Sequence, residues 1–399
     1  MTYTVHSTTM NSSTQNQPSS RSKSELQQKP FTEKNILSMD LSHLGWDTFH
    51  QNNYQAVQHT HKGNTRALPG RICRIQGGLC MVMTENGEAS AVMPGRFRNA
   101  PGPEASLPAI GDWVAIDASQ TGATATVQAV LPRKSKFSRN AAGQETREQV
   151  LAANIDHAFI VCSLNCEINP NRIQRYLVSV YDSGAMPVVL LNKEDLCPDP
   201  SEPMARLGPT AATVPVHLLS AATGRGFETL GQYLTAGRTG VFLGSSGVGK
   251  STIINRLLGH EAIRVAETSN YKDRGRHTTT GSELYFLGTG GMVIDTPGLR
   301  ELQLWDGRAG LPQAFPDIEE LACLCRFSDC RHDKEPGCAV RGAVDQGKLD
   351  SDRHRSYQKL QRELKFHQRQ QDVRLRIEEA RRWRSLSKKM RHNQKGREL

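Results

Sequence analysis

"VVLLNKED", residues 188–195, is a run of apolar residues closed by Asn192, Lys193, Glu194 and Asp195. A short continuous apolar run of this kind predicts a parallel strand buried on both faces. The polar residues then sit at its carboxyl end, where open α/β sheets place their ligand contacts. Asn-Lys-x-Asp in that position is a guanine-reading pattern. Asp195 can accept hydrogen bonds from N1–H and from the exocyclic amino group of guanine. Adenine offers neither donor, so a buried carboxylate there would reject it. Asn192 is expected to brace the loop, the Lys193 stem to lie along the base, and Glu194 to complete the element. Downstream, "LSAATGRG" from Leu219 supplies Ser220 and Ala221, whose backbone can support the base.

The base reader precedes the element it serves. "GSSGVGKS", residues 244–251, follows the apolar strand "TGVFL" and opens the helical pattern "KSTIINRLL". Strand, Gly-rich loop and helix in this order are the context a phosphate-binding loop requires. Successive N–H groups from Gly244, Ser245, Ser246, Gly247, Val248 and Gly249 can encircle phosphate oxygens, and the helix N-terminus at Lys250, Ser251 and Thr252 adds its partial positive charge. Lys250 is expected on the β- and γ-phosphates and Ser251 on Mg²⁺. "DTPG", residues 295–298, ends another apolar strand. It places Asp295 for the Mg²⁺ shell and the Gly298 N–H for the γ-phosphate. "GRHTTTG", residues 275–281, lies between, where a switch loop belongs. One hydroxyl among Thr278, Thr279 and Thr280 completes the Mg²⁺ shell, with Thr279 taken as that ligand. The order is therefore base reader, base support, phosphate loop, switch and DTPG: a nucleotide-binding domain whose chain has been rotated. Lys250, His277 and Asp295 are the candidate catalytic residues.

Outward from this core the texture changes. Residues 1–65 are rich in Ser, Gln, Asn and Thr and predict an arm without fixed structure. Residues 66–139 carry about five short strand-like runs broken by turn signals, a pattern that suits a small OB-fold barrel able to bind RNA. Residues 140–305 alternate strands and helices, as an α/β domain does. Within 306–345, Cys325-x₄-Cys330-x-His332-x₅-Cys338 offers three thiolates and an imidazole, a closed structural Zn²⁺ set of one ion per chain. Spacing alone does not exclude Cys323. Residues 346–399 read as a basic helical tail. Of the net charge of +10, all is accounted for by residues 351–399, with sixteen Lys or Arg against six Asp or Glu. Such an excess points to a polyanionic partner. No stretch is apolar enough to span a membrane and no secretory signal is visible, so a cytoplasmic location is expected.

"NKED", "GSSGVGKST", "GRHTTT" and "DTPG", with the Cys/His spacing, resemble the circularly permuted GTPases of the RsgA (YjeQ) family. The resemblance covers about residues 66–345. It implies an OB-fold barrel, a permuted P-loop GTPase domain and a zinc module. It also implies GTP hydrolysis to GDP and phosphate, stimulated by the 30S ribosomal subunit and its 16S rRNA during late subunit maturation. A monomer with no membrane association is expected. After DTPG, where a classical GTPase carries a water-orienting Gln nearby, stands Leu299, an apolar residue as in the family. His277 or a group of the rRNA is then left to position the attacking water. The rival readings are a P-loop kinase or ATPase, which NKED opposes, and an RNA-binding protein with a vestigial nucleotide site, which the intact Lys250, Ser251 and Asp295 oppose.

Overall fold

The computed structural model describes residues 40–60, 67–99, 107–117, 124–140, 148–263, 282–296, 299 and 309–366. Short apolar runs between turns form β1 (Ala67–Gln76), β2 (Leu79–Thr84), β3 (Gly87–Val92), β4 (Trp113–Asp117) and β5 (Ala125–Val130). β1 pairs with β2 and β2 with β3; β3 runs parallel to β5, β5 pairs with β4, and β4 returns to β1. The result is a closed five-stranded barrel, as expected. Closure leaves no free strand edge, and Ile72, Val82, Val114, Ile116 and Val127 fill the interior.

A hairpin of β6 (Lys136–Asn140) and β7 (Glu148–Ala153) leads into the α/β domain. There β8 (His157–Ser163), β9 (Met186–Asn192), β10 (Val216–Leu218), β11 (Thr239–Leu243), β12 (Glu283–Phe286) and β13 (Met292–Asp295) line up as β10-β9-β8-β11-β13-β12. The first five are parallel. β12 is antiparallel to β13 and was not anticipated, because "ELYF" is short and half polar. This order explains how a rotated chain works. β9 and β11 flank β8, so the loops after residues 192 and 243 emerge at the same end of the sheet although the base reader comes first. One pairing, Arg74 with Glu283, reinforced by an ion pair between the two side chains, joins the sheet to the barrel.

The expectation of a structureless arm over residues 1–65 fails for residues 40–60; residues 1–39 and 61–65 lie outside the described residues. A 3₁₀ turn, Leu41–Leu44, and a helix, Thr48–Thr60, dock on the barrel. The helix has few apolar residues of its own, so periodicity did not reveal it. The barrel supplies the surface: Trp46 packs edge-on against fully buried Trp113, with ring centroids 4.7 Å apart. Arg71 locks the junction. Its guanidinium donates to the carbonyls of Leu44 at 2.5 Å, Gly111 at 3.2 Å and Asn154 at 2.8 Å. Burial pulls its pKa down to about 10, which still leaves it charged at neutral pH.

The described residues close with helices Gly310–Ala314, Pro316–Ala322, Ala339–Asp345 and residues 351–366. Of the expected basic tail, residues 367–399 lie outside the described residues. Helix 351–366 is anchored by Arg353, 2% exposed, which grips both carboxylate oxygens of Asp317 at 2.6 and 2.7 Å and lies over Phe315.

Candidate nucleotide site and metal cluster

At the carboxyl end of the parallel strands the loops meet through one residue. Asn192 is 1% exposed; its Nδ2 donates to the Val248 carbonyl at 2.8 Å and its Oδ1 accepts from the Ala221 N–H at 3.0 Å. The base-reading strand is thus tied both to the Gly-rich loop and to the Ser220-Ala221 turn. Lys193 takes a left-handed conformation, φ 66°, which starts the turn that presents Glu194 and Asp195. Ser220 donates its hydroxyl to Asp195 Oδ1, and its own Oγ accepts from the Thr223 N–H at 3.1 Å. Asp195 itself is solvent-exposed rather than buried. A bound base must therefore supply the desolvation that rejection of adenine requires. Glu194 pairs with Arg225, across to the base-support turn, at 3.5 Å.

In the Gly-rich loop two positions leave no room for a side chain. A Cβ on Gly249, φ 100°, would lie 2.2 Å from Asn192 Nδ2. One on Gly244, φ 137°, would lie 2.4 Å from the Val161 carbonyl. Both angles suit glycine alone. Lys250 opens the helix Lys250–Leu258, and its Nζ donates to the carbonyls of Gly244 at 2.7 Å and Ser245 at 2.6 Å. The ammonium is thus curled over the loop, within reach of any anion seated in it. Parallel pairing of β11 with β13, Val241 opposite Ile294, carries Asp295 to the same end of the sheet. Leu299 is 2% exposed, an apolar wall where a polar group could have oriented water. His277, Thr278, Thr279, Thr280 and Gly298 lie outside the described residues.

Two arginines escaped the sequence reading. Arg256 reaches back from the helix after the loop to the carbonyls of Ala221, Ala222 and Thr223 at 3.3, 3.1 and 2.9 Å. The second cation in "KSTIINRLL", after Lys250, is the signal the sequence offers. Arg172, at the start of helix Pro170–Ser183, donates to Ser245 Oγ at 2.8 Å. Arg256→Ala frees the base-support turn. Three hydrogen bonds are lost, but the arginine is exposed, so about 1 kcal/mol, roughly fivefold in affinity, is expected for GTP and GDP alike. Titration calorimetry with both nucleotides checks it; a change confined to GTP would contradict a role at the base.

The ligand atoms of Cys325, Cys330, His332 and Cys338 all lie within 4.8 Å of one another. Cys325 Sγ to His332 Nδ1 is 3.5 Å, Cys338 Sγ to His332 Nδ1 is 3.6 Å, and Cys325 Sγ to Cys338 Sγ is 3.9 Å. A tetrahedron with Zn–S near 2.3 Å and Zn–N near 2.05 Å has edges of about 3.8 and 3.5 Å. The donor set therefore fits a metal ion in both chemistry and size. Cys323, left open by spacing, is exposed and outside the cluster. Burial and the neighbouring thiols push Cys330 up to about 11. Three crowded thiols resist ionising together unless a cation joins them. The His332 carbonyl accepts from His354 Nε2 at 3.1 Å and Gln358 Nε2 at 2.7 Å, which ties the cluster to helix 351–366.

Residues 130–305 match the family model described as RsgA GTPase. A protein of Opitutus terrae named small ribosomal subunit biogenesis GTPase RsgA is 43% identical over 357 residues, 87% of this chain and 96% of the relative. One of the same name from Methanosarcina acetivorans is 40% identical over 321 residues, 80% of this chain and 86% of the relative. Among solved structures, YjeQ from Thermotoga maritima superposes with a TM-score of 0.59 at 26% identity, covering 75% of this chain and 98% of the other. YloQ, titled a circularly permuted GTPase, gives 0.56 at 25% identity, covering 76% and 97%.

Proposed function

The chain belongs to the RsgA family and is a GTPase of small ribosomal subunit biogenesis; from that premise we propose how its own residues bind and hydrolyse GTP. The observation that carries the reading is Asn192. By bonding both to Val248 and to Ala221, it makes the base-reading turn and the Gly-rich loop one rigid unit. A nucleotide with guanine at one end and phosphates at the other fits that unit. Asp195 reads the base edge, Ser220 orients Asp195, and Lys193 covers the ring.

The N–H groups of residues 244–251 and the Lys250 ammonium take the phosphates. Phosphate oxygens, being charged acceptors, displace the Gly244 and Ser245 carbonyls from Nζ. Ser251, Asp295 and Thr279 are the residues that would hold Mg²⁺, which neutralises charge developing on the transferred phosphoryl group. Gly298 senses the γ-phosphate. The Cys325, Cys330, His332 and Cys338 cluster holds Zn²⁺ as a structural ion.

Buried Leu299 offers no hydrogen bond to water, so hydrolysis waits on His277 or on a group from the partner. The partner is the 30S subunit, engaged through 16S rRNA by a monomer in the cytoplasm. The domain limits at 305 and 345 go with this reading; the barrel unit takes in Leu41–Leu44 and Thr48–Thr60, and β6 runs across 139. Among the described residues no helix is long and apolar enough to cross a membrane.

Phosphate release with and without purified 30S subunits tests the proposal. The free protein should be slow and 30S subunits should accelerate it more than about tenfold, as activating partners do for GTPases. An unstimulated rate, with no 30S binding in the presence of a non-hydrolysable GTP analogue, would remove the ribosomal partner.

A further inference from the structure

Helix Pro170–Ser183 and helix 351–366 enclose an open groove of about 470 Å³ on the flank of the nucleotide domain. Arg172 and Arg175 line it from the first helix, and Arg355 and Lys359 from the second. The carboxylate in its wall is Asp352, paired with Arg355. Arg175 pairs with Glu363. The positive end of helix Pro170–Ser183 faces the same space.

The cations are carried on exposed side chains along an open trough, not converged on a buried pocket. Such an arrangement suits a polyanion that releases counterions on docking, rather than one small anion held by preorganised donors. The sequence of residues 367–399 carries eleven Lys or Arg against four Asp or Glu, an excess of the same sign.

The groove is also one side chain away from the phosphate loop. Arg172 NH1 donates to Ser245 Oγ at 2.8 Å, and the Ser245 carbonyl accepts from Lys250 Nζ at 2.6 Å. We infer that this groove takes the phosphodiester backbone of RNA, and that Arg172 is a positioning residue that passes its occupancy to the phosphate loop.

The two states differ in a definite contact. With the groove empty, the Arg172 guanidinium bonds a neutral hydroxyl. A phosphate in the groove is a charged acceptor, and hydrogen bonds to it are roughly twice as strong. Docked RNA therefore draws Arg172 from Ser245 and changes the loop in which Lys250 is held. An effector that binds the two positions of Arg172 unequally is what a shift in the loop requires. This deepens the proposed function and rests on it only for the identity of the RNA.

The experiment compares wild type, the double variant R355E/K359E and R172Q. Binding is measured to a short RNA duplex and to 30S subunits over a range of salt. Phosphate release is measured without 30S and at saturating 30S, and retained affinity for a GTP analogue reports intact folding. R355E/K359E should weaken duplex and 30S binding at least about tenfold and flatten the log–log salt slope by roughly 1–2. R172Q, in which the loop is released from Arg172 whether or not RNA is docked, should retain most 30S affinity while its fold-stimulation by 30S, the saturated rate over the free rate, falls at least about fivefold. Wild-type RNA affinity and salt slope in R355E/K359E would overturn the groove assignment. A wild-type fold-stimulation in R172Q would overturn the coupling. If wild type binds the duplex through these residues but 30S subunits do not stimulate it, the RNA groove stands and the ribosomal reading is the one that fails.

Discussion

Asp195→Asn is expected to cost GTP affinity about a hundredfold or more and to turn preference toward xanthosine triphosphate. Ser220 donates to Asp195 Oδ1 and so fixes which side-chain atom faces outward. In the Asn variant that hydroxyl still prefers the carbonyl oxygen, which leaves the amide N–H₂ to meet position 2 of the base. Guanine presents an amino group there, so two donors oppose each other. Xanthine presents a carbonyl, and the pair is satisfied. Losing a charge-assisted bond and stranding a donor costs about 3–5 kcal/mol in a desolvated site. Because Asp195 is exposed until a base covers it, the lower end of that range applies. Displacement of a fluorescent nucleotide by GTP and by xanthosine triphosphate reads both sides of the swap. Unchanged GTP affinity in the variant would remove Asp195 as the base reader.

The parts of this molecule legible in its sequence are those whose meaning is local. Asn192 to Asp195 and Gly244 to Ser251 each sit within one strand-and-loop unit. Their residue types answer to a ligand, and the apolar strands before them set their place. The barrel was legible for the same reason, since its short strands pair mostly with sequence neighbours. What was hidden depends on partners far along the chain. Arg172 is 73 residues from Ser245, and Arg256 is 35 from Ala221. Neither spacing leaves a periodic trace. Helix Thr48–Thr60 was hidden differently: its docking surface is Trp113 and the barrel, so its own composition resembles a solvated arm. Exposure of Asp195 could not be read either, because a carboxylate after a buried strand looks the same in sequence whether or not its turn projects into solvent.

The metal cluster should show the largest effect of all. Zinc at one equivalent per chain is expected in freshly purified protein, and Cys330→Ser should lose it. Apparent binding free energies of structural Zn²⁺ in zinc-finger peptides run to about 10–16 kcal/mol, comparable with the whole stability of a typical domain. Residues 325–338 have no core to replace that contribution: Phe327 is 41% exposed, and the buried side chains there are His332 and Cys338 themselves. Removal of a ligand should therefore unfold the module, not merely loosen it. The damage should spread in one direction. Helix 351–366 donates to the His332 carbonyl through His354 and Gln358, so it should lose amide-exchange protection along with the cluster. The nucleotide loops are held by Asn192, Arg256 and the parallel strands, so GTP affinity should survive. With helix 351–366 goes one wall of the basic groove, and 30S binding should fall in the same variant. Cys323→Ser, at an exposed thiol outside the cluster, should do none of this. Elemental analysis, hydrogen exchange and GTP titration on the two variants separate the outcomes. Absence of zinc from the native protein, or full zinc retention in Cys330→Ser, would refute the assignment. Loss of GTP affinity together with the metal would show instead that the cluster supports the nucleotide domain.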